Sequence, residues 1–512
     1  MISASDIPHT NAVGIFEGAA CYPATTPYNP HEKYPEYPFA GHVSTSPNNA
    51  YAGVRDLFHL MGYDAANWGT PQWNPLGFLI KPGMTVVLKP NFVLSFHKKH
   101  ADIYSIITHP SVLRAIADYC WIALQGSGTI IIADAPQYNC NFQQLLETTQ
   151  LQTLADVYEK FAGPRFFIKD LRNYWSAGRH FPSMCKQLPG DPRGMTTVNL
   201  GDKSSFWGRD STKYYGAVYH RQETIKHHSN DCHEYAISNT ILHADVVISV
   251  PKLKVHKKVG VTLNAKGFVG TSTNKNLLVH YTLGTPGTGG DQFPDGFLKP
   301  HERFLIGLER TFYDLFLAKR SVFLEYIHRS LYAIHGITTR KLGLTVGTHK
   351  GYPKRIFDAG NWYGNDTAWR MTADLARILL FADNNGTMHT TPQRTIFSVV
   401  DGIIGGQGEG PLEPTPCPTG ALLCGLNPIA VDLVATRLMG FDPMQIKIYT
   451  ALLRDKTFDF GIKDWHDIPI ISQNDQYATC LFDDQSRFWD YKPHPGWQGH
   501  IEVNPNDIER VL

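Results

Sequence analysis

Short apolar runs, each closed by a polar or glycine-containing signal, recur along this chain. Met84–Leu88, Thr129–Ala133, Val246–Val250 and Thr395–Val400 are built almost wholly from Val, Ile, Leu, Phe and small residues. They are too short for helices and do not alternate with polar residues, so they read as strands covered on both faces. Ala12–Phe16 and Ala421–Cys424 are further short strand candidates. Other stretches show helical spacing. Val54, Leu57, Phe58 and Met61 share a face of Asn48–Met61, and Val112–Leu124 is amphipathic with Ser111 as its N-cap. Gln143–Phe161, Ala373–Phe381 (N-cap Thr372) and Ile429–Met439, opened by Asn427-Pro428, complete the set.

The order strand, helix, strand over residues 84–133 is a βαβ unit with a parallel crossover. The predicted fold class is therefore α/β, a mostly parallel sheet flanked by helices with long insertions. One α/β domain spans 10–455, with insertions at about 141–235 and 271–360. Residues 456–512, carrying Trp465, Trp489 and Trp497, form a C-terminal extension packed on it. Within the second insertion, Phe304, Leu305, Leu308, Phe312, Leu315 and Phe316 fall on one helical face. Phe323, Tyr326, Ile327, Leu331 and Ile334 fall on another. Both faces are core or partner-facing, which leaves room for a homo-oligomer.

Charge and cysteine content narrow the function classes. The 512 residues hold 47 Lys+Arg against 46 Asp+Glu, a formal net charge of +1, so no general nucleic-acid footprint is expected. No apolar run reaches the roughly 18 residues needed for a membrane span, and the first residues lack a secretory pattern, which predicts a cytoplasmic protein. The eight cysteines form no C-x-x-C pair, so no iron–sulfur cluster is expected.

The ends of the strands carry the chemistry. Val246–Val250 runs into Lys252, Lys254, His256, Lys257 and Lys258, followed by Asn264 and Lys266. A buried strand that empties into a lysine cluster suits an anion, because ligands of open α/β sheets sit beyond the carboxyl ends of the strands. The other ends are Lys89-Pro90-Asn91, Asp134-Ala135-Pro136 and Asp401-Gly402, the last followed by a glycine-rich loop through Gly408, Glu409 and Gly410. If the strands are parallel neighbours, Lys89, Asp134, Lys252 and Asp401 converge in one cleft. Each motif also has a plainer reading. The lysines can be a solvated run, Asp134 and Asp401 turn residues, His109 a turn residue before Pro110, and Asp432 a cap of its own helix.

TVVLKPNFV, ITHPSVLRAIADYC, IIIADAP, ADVVISVPKLKVHKKVGVTLNAKGFVG, VVDGIIGGQGEGP and GLNPIAVDLVATRLMGFDP, in this order from about residue 85 to residue 443, resemble the bacterial and archaeal family known as domain of unknown function 362. The resemblance implies one α/β domain with insertions. Some members carry ferredoxin-like cysteine clusters, and this chain has none.

The function expected first is an enzyme acting on a small anionic molecule, phosphorylated or carboxylated. Lys89, Asn91, Lys252, Asn264, Lys266, Gly408 and Gly410 would bind it, and His256, Lys254, Asp134 and Asp401 would be catalytic. Asp134, Asp401 and Glu409 would hold a divalent cation, Mg or Mn. Proton transfer of the epimerase type and metal-assisted phosphoryl chemistry both fit. The alternatives are a non-catalytic anion-binding or assembly protein and, less favoured, an iron–sulfur redox protein. On an extended segment, Lys252, Lys254 and His256 would form one row, with the imidazole kept neutral by its cationic neighbours and able to accept a proton.

Overall fold

The computed structural model describes residues 11–39, 41–177, 185–217, 221–318, 322–479 and 488–503. Its centre is a ten-stranded mixed sheet. The strands are β1 (Val13–Glu17), β2 (Thr85–Pro90), β3 (Thr129–Asp134), β4 (Phe166–Asp170), β5 (Val246–Val250), β6 (Lys252–His256), β7 (Gly260–Val261), β8 (Thr395–Gln407), β9 (Thr415–Gly425) and β10 (Ile470–Ser472). The path runs β10-β1-β9-β8-β5-β2-β3-β4, with β6 pairing both β8 and β7. The stretch β8-β5-β2-β3-β4 is parallel throughout, and β9 lies antiparallel between β8 and β1.

The apolar runs are continuous because both faces of these strands are covered. Val86, Leu88, Ile130, Ile132, Ile248, Phe397 and Val399 point into one core. Val87, Ile131, Ala133, Val247, Ile396 and Val400 point into the other. Successive side chains alternate across a strand, so one run serves two cores. The first core is closed by α1 (Asn49–Leu60), α2 (Pro110–Leu124), α3 (Phe142–Thr149) and α4 (Gln152–Ala162). In the region between β6 and β8 lie α5 (Leu263–Gly267), α6 (Pro300–Ala318), α7 (Val322–Lys341) and α8 (Ala368–Phe381). The second core is closed by α8 together with α9 (Pro428–Leu438) and α10 (Lys447–Leu453).

Several local expectations are corrected. The N-cap of α2 is His109, whose Nδ1 accepts the Ser111 N–H, with Pro110 in the first turn; Ser111 is already inside the helix. Helix α8 starts at Ala368, before Thr372. The region 141–235 is no pure excursion, because β4 within it forms the edge of the main sheet. As far as Gln407 the glycine-rich stretch after Asp401 is not a loop but the second half of the thirteen-residue strand β8, paired with β9; Gly408, Glu409 and Gly410 form the turn beyond its end. The strand's glycines answer close approaches: an added Cβ at Gly406 would lie 2.5 Å from the Ser105 carbonyl oxygen, and one at Gly405 would run into the Tyr491 hydroxyl.

Region 456–512 supplies β10 at the sheet edge and buries Tyr491 and Trp497 against the core, and the Trp497 indole donates to the Lys257 carbonyl at 2.7 Å. In α6 and α7 most described residues of the two apolar faces are exposed or only half-buried. Leu305 is buried, but Phe304, Phe323, Tyr326, Leu331 and Ile334 are exposed; the side chains of Phe312, Leu315 and Phe316 lie outside the described residues. No helix among the described residues is long and apolar enough to cross a membrane.

Candidate functional site: a lysine-walled cavity

Strands β2 and β3 are parallel neighbours in register, so their carboxyl ends release Lys89 and Asp134 side by side. The Lys89 ammonium donates to Asp134 Oδ1 at 2.9 Å and to the Pro90 carbonyl at 2.8 Å, while the Phe92 N–H donates to Asp134 Oδ2 at 2.7 Å. Gly270 passes directly over this pair. An added Cβ there would lie 2.5 Å from Lys89 Nζ and would also strike the Asp134 carboxylate. The Ala135 N–H donates to the Gly270 carbonyl at 2.8 Å, which ties the segment after α5 to the end of β3.

Pro251 breaks the ladder between β5 and β6 without ending the sheet. Strand β6 continues alongside the second half of β8, with a register shift between Lys252 and Lys254. Lys254 and His256 face the same cavity as Lys89 and Asp134, while Leu253 and Val255 pack in the core behind them. The cavity has a volume of about 230 Å³. Six lysines line it: Lys89, Lys254, Lys257, Lys258, Lys266 and Lys275, joined by His256, His280 and Asn91. Asp134 is the one carboxylate among its described lining residues, and it is already paired. Residues 271–360 close the cavity through Lys275, Leu278, His280 and Ala359, so this insertion is part of the site.

Crowding of cations in a buried space acts on each of them. Burial, reinforced by Lys252 and Lys266, holds the Lys254 ammonium well below the usual lysine range. It is retained by the main chain, donating to the Ile106 carbonyl at 2.5 Å and the Pro411 carbonyl at 3.4 Å. Burial and Lys89 bring Lys266 down to about 8, and burial brings Lys275 down to about 7 despite the opposing pull of Asp134. Lys275 donates to the Val269 carbonyl at 3.0 Å. The Lys266 ammonium has no hydrogen-bond acceptor among the described residues. Thr262 Oγ1 and Asn361 Oδ1, also on the cavity wall, are buried and lack hydrogen-bond partners among them.

His256 is held neutral, its pKa well below the ordinary imidazole value through burial and then Lys266, Lys254, Lys257 and Lys258. The expected proton acceptor is nevertheless oriented as a donor. His256 Nδ1 accepts the Lys258 backbone N–H at 3.1 Å, which puts the ring proton of the neutral imidazole on Nε2.

The remaining predicted residues lie elsewhere. Lys252 and Asp401 form a second, fully buried ion pair at 3.0 Å and do not line the cavity. Asp401 also accepts the Tyr22 hydroxyl at 2.6 Å and the His109 N–H at 2.9 Å, and Lys252 donates to Tyr22 Oη at 2.6 Å. The Tyr22 ring stacks on His109 with centroids 4.0 Å apart. The predicted four-residue cleft therefore splits in two. The register shift between Lys252 and Lys254 separates Lys252 from the rest of its row, and Asp401 sits mid-strand rather than at a strand end.

Asn264 is structural. Its backbone N–H and side-chain Nδ2 each donate to Asp432 Oδ1 at 2.8 Å, the Ala265 N–H donates to Asp432 Oδ2 at 2.8 Å, and Ser398 donates to Asn264 Oδ1 at 3.0 Å. Asp432 thus clamps the start of α5, the element that carries Lys266, and does not cap its own helix. Burial pushes its carboxyl up to about 7. Gly408 and Gly410 lie outside the cavity lining, and Glu409 pairs with Lys99 at the surface.

The expected cation set is likewise dispersed. Asp134, Asp401 and Glu409 are each engaged by a different lysine, and no group of three His, Cys, Asp or Glu among the described residues is arranged to hold a metal. These residues do not fit a shared divalent cation. Sequence reasoning missed Lys275, His280, Thr262, Asn361 and Tyr22. The Asn274-Lys275-Asn276 motif inside a Gly/Thr-rich stretch was the one local sign for the first of these.

Residues 210–437 match the model of the family described as Domain of unknown function (DUF362), which bears out the family resemblance over that segment. The matched segment contains β6, α5 and Lys275, while Lys89 and Asp134 precede it. No curated protein and no solved structure matches the chain.

Proposed function

We propose that this chain is an enzyme acting on a small anionic metabolite, phosphorylated or carboxylated, bound in the lysine-walled cavity. The observation that carries the reading is the charge imbalance of the cavity: six lysines face a space of about 230 Å³ that contains one carboxylate, already paired. Buried cationic charge in excess of nearby carboxylates is costly; it is relieved in part by the lowered pKa values of Lys254, Lys266 and Lys275, and a bound anion would relieve the rest. The volume is below the roughly 300 Å³ at which drug-sized pockets begin, which suits a small molecule. Amines brought near neutrality, Lys266 and Lys275, together with the Nε2–H of His256, favour proton transfer over metal-assisted chemistry.

Thermal denaturation with added sulfate or phosphate tests the binding, followed by a panel of phosphorylated and carboxylated metabolites monitored for turnover by NMR. Stabilisation by millimolar sulfate that is weakened in Lys266→Met supports the site, and turnover of a panel member supports the enzyme. No stabilisation by any anion would overturn the reading. Tight binding with no turnover across the panel would favour an anion carrier.

A further inference from the structure

The cavity holds one amine placed as a nucleophile. We infer that Lys266 forms a covalent imine with the carbonyl carbon of an anionic carbonyl compound, an oxo acid or an aldehyde bearing a carboxylate or phosphate. The inference rests on the proposed anion site and names the class of substrate for it.

The geometry separates Lys266 from its neighbours. Lys89 is committed to Asp134 and the Pro90 carbonyl, Lys254 to the carbonyls of Ile106 and Pro411, and Lys275 to that of Val269. The Lys258 ammonium donates to the Ala359 carbonyl. Those hydrogen bonds fix the four ammonium groups against the main chain or Asp134, and Lys257 is engaged by interactions of its own. Lys266 lines the same cavity, has no hydrogen-bond acceptor among the described residues, and projects from a short helix whose first turn is pinned by Asp432. A fixed backbone with an uncommitted amine is what an attacking lysine requires. Burial and the Lys89 charge bring this amine to about 8, so roughly a tenth of it is neutral at pH 7.

The reaction balances without an added oxidant or reductant. The neutral Nζ lone pair adds to the carbonyl carbon, and the C=O π pair moves to oxygen, which accepts a hydrogen bond from the Nε2–H of His256 and takes, through water, the proton that nitrogen gives up. The product is a neutral carbinolamine. Loss of hydroxide, protonated to water, then leaves C=N. One C–N bond is formed, the carbonyl oxygen departs as water, and nothing is oxidised.

Glyoxylate is a suitable probe, being a small anionic aldehyde. The full chain is incubated with glyoxylate and borohydride at neutral pH, and carboxymethyl-lysine is located by peptide mass spectrometry. Sulfate binding is measured in parallel by thermal shift. We expect Lys266 to be modified roughly tenfold or more faster than exposed lysines, as its larger neutral fraction requires, and sulfate to suppress this. In Lys266→Arg the adduct is lost; in Lys275→Arg an adduct still forms at Lys266. Should Lys266→Arg not fold, the site of modification in the unaltered chain and its protection by sulfate still decide. Modification centred on Lys275, or Lys266 labelled no faster than surface lysines, would overturn the inference. If sulfate binds and no adduct forms, imine chemistry alone fails; if sulfate does not bind, the anion site itself fails.

Discussion

Replacing Asp134 by Asn removes the carboxylate that offsets the lysines of the cavity. Its partner Lys89 lies 2.9 Å away, and the two side chains are only 4% and 2% exposed, so water cannot take over. Removing one member of a buried pair costs about 3–5 kcal/mol, chiefly because the remaining charge is left unpaired. Here the penalty falls at the upper end, because Asp134 also offsets the charges of Lys254 and Lys275. Lys89→Met is the milder change. It leaves the carboxylate with the Phe92 N–H and with those two lysines as countercharges, and should cost about 1–3 kcal/mol, the range for a lost buried hydrogen bond.

Equilibrium urea denaturation followed by circular dichroism measures both variants. Sulfate should act oppositely to the mutation. At a hundred times its Kd it adds about 2.7 kcal/mol to a protein that binds it only when folded, and Asp134→Asn, with a more cationic cavity, should bind it more tightly than the unaltered chain. Equal losses for Asp134→Asn and Lys89→Met, together with no greater sulfate affinity in the former, would refute the charge-imbalance argument.

The depressed lysines predict opposite pH trends for binding and stability. Above pH 7, Lys275 at about 7 and Lys266 at about 8 lose charge, so sulfate affinity measured by calorimetry should fall between pH 7 and 9. Over the same interval the unfolded chain still holds protons that the folded chain has released, so the sulfate-free protein should become more stable as pH rises. Gly270→Ala should destabilise the fold and weaken sulfate binding, because its Cβ meets the Lys89–Asp134 pair; Gly267→Ala, whose Cβ would come no nearer than 3.9 Å to Pro251, should leave both within experimental error in thermal melts. Asp432→Asn misplaces an acceptor facing the N–H groups of Asn264 and Ala265, at about 1–3 kcal/mol for each donor left unsatisfied; beyond lower stability, hydrogen exchange should speed up at Ala265 if the clamp is as described.

The chain by itself determined the sheet and half of the site. Apolar runs of five or six residues with no alternation mean strands covered on both faces, and their polar terminations mark where a ligand can sit. Lys89, Asp134, Lys254, His256 and Lys266 were legible on that ground, because a side chain at the carboxyl end of a parallel strand has few places to go. Tertiary structure alone decided the rest. The register shift between Lys252 and Lys254 sends one lysine of the row to a private partner, Asp401, and a shift in pairing leaves no mark in residue type. The glycines after Asp401 look like a loop in sequence, yet serve close contacts between distant segments such as Gly405 with Tyr491. Asp432 and Asn264 stand 168 positions apart, and Lys275 enters the cavity from an insertion, so neither role has a local signature. His256 shows the limit most plainly. Its neutrality comes first from burial, which only the fold supplies, and then from cationic neighbours visible in the sequence, and which nitrogen carries the proton depends on one backbone N–H that the folded loop brings to Nδ1.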